Sequence, residues 1–104
     1  MIMTNTDFIP GKEISSILGL VRGNTIQAKN VGKDIMAGFR NFVGGEIKEY
    51  TEMLSEAREI ALKRMEQKAE KLGADAVINV RFMTSAIMGA AAEILAYGTA
   101  VKLK

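Results

Sequence analysis

The side chains that could do chemistry in this chain are few, and their types settle most of what they could do. With no histidine and no cysteine anywhere in its 104 residues, thiolate and imidazole metal sites, disulfides, a cysteine nucleophile and a histidine general base all fall outside its repertoire. Acids stand singly at Asp7, Asp34, Asp75 and Glu93, at no spacing that would gather oxygens around a hard cation. The seven methionines could offer thioethers to a soft ion such as Cu(I). None recurs as Met-x-x-Met, however, and Met65 falls on an apolar stripe, so their positions suit adaptable core filling better. Glycine-rich turns that could cradle a phosphate occur at Gly32-Lys33-Asp34 and Gly44-Gly45-Glu46. The second puts Glu46 where an anion would sit, and neither has the spacing of a phosphate-binding or dinucleotide loop. Serines and threonines lack a base at a telling distance. The expectation is therefore a protein that is not an enzyme and holds no cofactor and no metal.

Four residues remain as candidates for a binding or contact site: Arg40, Glu46, Tyr50 and Arg58. Their polarity, and their position around the start of the longest helical pattern, place them at a junction between subunits. There they would serve as subunit contacts or, on the alternative view, line a site for a small molecule or metal ion.

Those positions depend on the elements that carry them. Met1 to Thr6 reads as a short opening strand, ended by Pro10-Gly11, a pair suited to the central positions of a type II turn. A second strand is expected from about Leu18 to Ala28, with Gly19 and Gly23 as candidate bulges or a hairpin turn. Asn30 can cap a short helix in which Ile35, Phe39 and Phe42 share a face, closed by Gly44-Gly45. From Glu46 to Leu72 the residues Ile47, Tyr50, Leu54, Ala57, Ala61, Met65, Ala69 and Leu72 recur at three- and four-residue steps, the period of one long amphipathic helix. Glu46 and Glu49 near its start and Lys68 and Lys71 near its end suit the macrodipole, and Gly73 can supply a left-handed cap. At 1.5 Å per residue it would be roughly 40 Å long, too long for so small a domain to cover alone. Its charged face, where Glu59 and Lys63 have the favourable i, i+4 order, is read as solvated, with Arg58 or Arg64 available to acids of a neighbouring subunit.

Two further strands follow. The first alternates Ala76, Ile78, Val80 and Phe82 against Val77, Asn79, Arg81 and Met83; a turn is marked near Gly89. The last sets Leu95, Tyr97, Thr99, Val101 and Leu103 against Ile94, Ala96, Gly98 and Ala100, and neither lane is polar. If the larger lane faces the helix, the small uncharged one lies on the reverse, where another subunit would have to cover it.

Composition bounds the rest. A chain of this length, 48% apolar and 25% charged, makes one ordinary globular domain over residues 1–104. Fourteen basic against twelve acidic residues leave a net charge of +2, too small and too evenly spread for a nucleic-acid binder. The amino terminus lacks a basic region followed by a long apolar run, so the expected location is cytoplasmic, with no membrane span.

Taken in order, IPGKEI from Ile9, GLVRGNTI, KDI from Lys33, VGGEIKEYTEML from Val43, AREIALKRM, LGADAVINVRF and AYGTAVK resemble the YbjQ family, uncharacterised bacterial and archaeal proteins that also carry a heavy-metal-binding label. The resemblance spans nearly the whole chain, and VGGE, LGADAV and YGTAV are its specific parts. It implies a compact α+β subunit of dodecin-like architecture: a small antiparallel sheet against one long amphipathic helix plus a short helix, assembled as a homopentameric ring. The label would need ligands that a chain without cysteine or histidine does not supply. The absence of tryptophan likewise gives no licence for a flavin site of the dodecin kind. The function expected is that of a non-enzymatic, ring-forming structural or binding protein whose partner is itself.

Overall fold

The computed structural model describes residues 1–28, 42–43, 46–88 and 91–104. Its elements are β1 (Ile2–Met3), β2 (Ile14–Ala28), β3 (Phe42–Val43), β4 (Glu46–Ile47), α1 (Lys48–Lys71), β5 (Ala76–Met88) and β6 (Ala91–Leu103). Four strands form one sheet in the order β1-β5-β6-β2, and β3 and β4 form a separate antiparallel pair. The main sheet is mixed rather than antiparallel throughout, because β1 runs parallel to β5. The short helix expected after Asn30 falls outside the described residues as far as position 41; Phe42, assigned to its face, pairs in β3 with Ile47 instead. Pairing of Glu46 and Ile47 also takes two residues from the expected start of the long helix.

The helix presents Met53, Ala57, Ala61, Met65 and Ala69 to the sheet, all buried and all four residues apart. Three of the five are alanine, so little side chain holds the helix axis away from the strands. At its carboxyl end the Ala74 amide donates to the Ala69 carbonyl at 3.1 Å and the Gly73 amide to the Glu70 carbonyl at 2.9 Å. Gly73 has φ +78°, so the stop is the left-handed cap that its position predicts. Pro10-Gly11 also turns as expected, with the Lys12 amide donating to the Ile9 carbonyl at 3.0 Å and Gly11 at φ +75°.

The helix approaches the sheet most closely at Gly23. A Cβ there would collide with the Ala61 carbonyl oxygen and the Met65 amide nitrogen. This glycine is thus neither a bulge nor a turn; it is where two backbones meet. Gly19, by contrast, is a bulge: the β2–β6 register shifts between Ile17 and Gly19, and its φ of +130° is one that L side chains rarely adopt.

The small lane of β6 faces the helix. Ile94, Ala96 and Ala100 are buried with Val21, Val77 and the helix alanines in one cluster, and Gly98 is buried beside them. The larger lane therefore looks away, opposite to the expectation. The reason is volume, since a helix seated on backbone at Gly23 leaves no layer thick enough for Leu95 and Tyr97.

A second departure lies in β5. Asn79 adopts φ +54° and the register against β6 shifts between Ile78 and Arg81, a bulge at one of the few residue types that tolerate the left-handed region. Val80 consequently joins Val77 on the helix side. Ala76 and Ile78 pack instead with Val101, Ile9, Ile14 and Leu103 in a small cluster on the reverse face. The bulge is held from outside, by the Asn79 amide on the Thr6 carbonyl at 2.9 Å and the Val80 amide on the Thr4 carbonyl at 3.0 Å.

Gly23→Ala is expected to destabilise the fold by about 1–3 kcal/mol or more, since the obstruction is backbone that cannot rotate away. Urea denaturation followed by far-UV circular dichroism checks this; an unchanged midpoint would mean that the helix sits farther from β2 than described.

Candidate functional site

With the helix over one face of the sheet and the Ile9–Ile14 segment over one end of the other, the remaining surface of the sheet is the reverse face of β5, β6 and β2. Paired registers build it in rows: Ile78–Thr99–Leu20, Arg81–Tyr97–Arg22, Met83–Leu95–Asn24 and Ser85–Glu93–Ile26. Leu20, Ile26 and Met83 are 68%, 59% and 54% exposed; what is informative is that all three stand on this one face, since singly scattered apolar residues are ordinary on a surface. Tyr97 lies half-buried between two exposed arginines. Arg81 is tied down, its Nη1 donating to the Asn5 carbonyl at 2.8 Å and the Val80 carbonyl at 3.0 Å. Glu93 accepts from Asn24 Nδ2 at 3.4 Å. The face mixes large apolar side chains with polar ones and has a mild positive bias, and chemically it offers contact area and two guanidinium groups rather than an acid–base pair.

The four residues expected at a site are not shown together. Arg40 lies outside the described residues, and of Glu46 only its place in β4 is described. Tyr50 is half-buried and Arg58 exposed on α1, eight residues and so about 12 Å apart along the helix axis. Arg64, considered for a neighbour's acid, instead donates from Nη1 to the Asn24 carbonyl of its own β2 at 2.7 Å. Leu20, Ile26, Met83 and the Arg81–Tyr97–Arg22 row were not among the expected site residues. The signal that points to them is the pairing of two small-residue lanes, Ala57-Ala61-Ala69 on the helix and Ala96-Gly98-Ala100 on β6, which sends the large lane outward.

One titratable group stands out. Asp75 follows the helix cap, and its Oδ2 accepts from the Leu103 amide at 2.8 Å. That hydrogen bond holds its carboxyl below the ordinary value; slight desolvation opposes the effect and the Lys102 ammonium, 3.5 Å from Oδ1, adds to it. Its role is to fasten the end of β6 to the start of β5.

Among the described residues no group of three or more His, Cys, Asp or Glu side chains could hold a metal ion, and no helix is long and apolar enough to cross a membrane. Of the thioethers, Met53 and Met65 are buried in the core, while Met83 is exposed on β5 and Met1 is exposed ahead of β1. The described donor set does not fit a heavy-metal centre.

The fold and its sequence match known proteins over nearly their whole length. A family model described as "Putative heavy-metal-binding" matches residues 1–104. A UPF0145 protein of Methanosarcina acetivorans is 66% identical over 103 residues, covering 99% of this chain and 97% of that one. One from Archaeoglobus fulgidus is 62% identical over 104 residues, covering 100% and 96%. One from Clostridium novyi is 63% identical over 103 residues, covering 99% of each. The chain belongs to the YbjQ family, UPF0145. Its fold is similar to the crystal structure of a protein of unknown function from Pediococcus pentosaceus assigned to the DUF74 family, with a TM-score of 0.68 at 17% identity, covering 100% of this chain and 98% of that one.

A carboxyl whose folded value is depressed stabilises the fold above the unfolded value, and that contribution disappears as pH falls through the folded value. Stability should therefore decline below roughly pH 4, and Asp75→Asn should show a shallower decline in that window. Urea midpoints taken from neutral to acidic pH check this; identical slopes for the two proteins would remove Asp75 from the account.

Proposed function

We propose that this protein is a non-enzymatic structural or binding protein whose subunits assemble into a homo-oligomeric ring. The observation that supports it most directly is the uncovered reverse face of the sheet, where Leu20, Ile26 and Met83 stand exposed beside half-buried Leu95 and Tyr97. A single copy has no described element to lay over this surface, and apolar area of this kind on a stable small domain marks an interaction surface. A copy of the same chain is the partner always present at matching concentration. Five subunits is the number that the family resemblance implies. The chemistry within reach agrees with a binding or structural role, because the face gathers guanidinium groups and a phenol but no paired acid and base.

Mass measurement in solution at micromolar concentration is expected to give a discrete multiple of the 11.3 kDa chain, with the fivefold species dominant. Leu20→Lys combined with Met83→Lys should weaken assembly by about tenfold or more, since each places a charge in a buried contact, while leaving the helical signal intact. A strictly monomeric species from the unsubstituted chain would remove the proposal.

A further inference from the structure

We infer that the copies join head to tail by strand addition, the free outer edge of β5 pairing in parallel with the free outer edge of β2 of the next copy. This inference rests on the self-assembly proposed above and specifies its joint.

The sheet order places β5 and β2 on either side of β6, and both are antiparallel to it, so they run in the same direction. The outer edge of β5 is occupied as far as Val80 by β1 and residues 4–6. Beyond Val80, among the described residues, it has no partner strand, and the register against β6 is regular from Arg81 to Ala86. The outer edge of β2 likewise has no described partner strand along its 15 residues, and it is regular from Gly19 to Ala28. One backbone group of β2, the Asn24 carbonyl, is engaged by a helix side chain, that of Arg64.

Both stretches are only lightly protected as edges. Neither contains proline or lysine, though each carries one arginine, Arg81 or Arg22; the Asn79 bulge of β5 ends before this stretch, and a second irregularity lies at its far end, between Ala86 and Met88. Their apolar side chains stand open instead: Phe82, Met83 and Ile87 on one strand, Leu20 and Ile26 on the other. A regular edge with exposed apolar side chains and no described partner strand invites another chain, and natural proteins cover such edges.

The geometry selects the kind of pairing. A two-fold contact of β2 with its own copy, or of β5 with its own copy, would satisfy one edge and leave the other bare. Pairing β5 of each copy with β2 of the next satisfies both on every copy, and such heterologous contacts close into a ring when the rotation permits. It also continues the sheet sideways, so that the apolar reverse faces of successive copies line one continuous surface.

The absence of cysteine from the chain makes the joint directly testable. Within one copy β5 and β2 are two strand spacings apart, roughly 10 Å, beyond the ~7 Å limit for a disulfide. Chains carrying one cysteine on β5 (Met83→Cys or Ser85→Cys) together with one on β2 (Leu20→Cys, Arg22→Cys, Asn24→Cys or Ile26→Cys) are oxidised or treated with a short bismaleimide. Those whose reduced mass in solution equals that of the unsubstituted chain are read on denaturing gels. At least one combination should give a ladder of covalent multimers, while each single-cysteine chain stays uncrosslinked. Covalent dimers from the single-cysteine chains would overturn the inference in favour of a two-fold contact. Uncrosslinked combinations in a protein that is nevertheless a multimer by mass would overturn the joint while leaving self-assembly standing, whereas a monomeric unsubstituted chain overturns both.

Discussion

The distance between helix and sheet governs the rest of this subunit. At Gly23 the helix backbone lies so close that not even a methyl group fits between them. The alanines at 57, 61 and 69 meet a lane of β6 that is itself Ala96, Gly98 and Ala100. Small-on-small contact of this kind gains its energy from dispersion between closely approached backbones rather than from large side chains, and it leaves Met65, Ile94 and Val77 to fill what space remains. Once the layer is this thin, larger residues on the same strands have one place left, which is the other side. The outward Leu95, Tyr97, Leu20 and Met83 are thus a consequence of how the inner face packs.

That consequence explains which parts of the fold were legible in the sequence. Local chemistry was: the helix from its period, its end from Gly73, the turn from Pro10-Gly11 and the bulge from Gly19, because each depends on residues within a few positions of one another. Which lane of β6 faces inward was not. Alternation separates two lanes, but when both are apolar it does not rank them, and the habit of putting large side chains inside presumes a gap wide enough to hold them. The relevant clue lay on another element, in the alanine stripe of the helix. Val80 changed sides for a similar reason: one left-handed residue at Asn79, held by carbonyls from the amino-terminal segment, reverses the parity of everything after it. The start of β2 at Ile14 rather than Leu18 was hidden behind its own bulges and two serines.

The candidate site was less legible than the fold. Arg58 and Tyr50 bring polarity near a helix start, yet polarity on a long charged helix is the ordinary state of a solvated face and carries little information about position. Arg64, chemically equivalent to Arg58 in the sequence, turns inward to a strand carbonyl, which only the three-dimensional neighbourhood decides. The family's heavy-metal description meets a chain without thiol or imidazole. For this member, soft-metal chemistry would have to rest on thioethers that the described fold scatters between core and surface.

The surfaces left over differ in symmetry, and this bears on how such a subunit could persist in solution. An apolar face can be covered by one two-fold partner, as in many dimers, but a two-fold axis that pairs an edge with its own copy leaves the unlike edge unpaired. A cyclic arrangement satisfies both edges with one repeated contact. A domain of this size buries a modest fraction of its chain and has a small margin of stability, so in the proposed ring the joint would contribute to folding as well as to assembly, and the concentration of chain would enter its apparent stability. The close seating of the helix would then set both terms. By committing the small lane inward it makes each copy compact, and by sending the large lane outward it would, in the proposed ring, leave each copy dependent on the next.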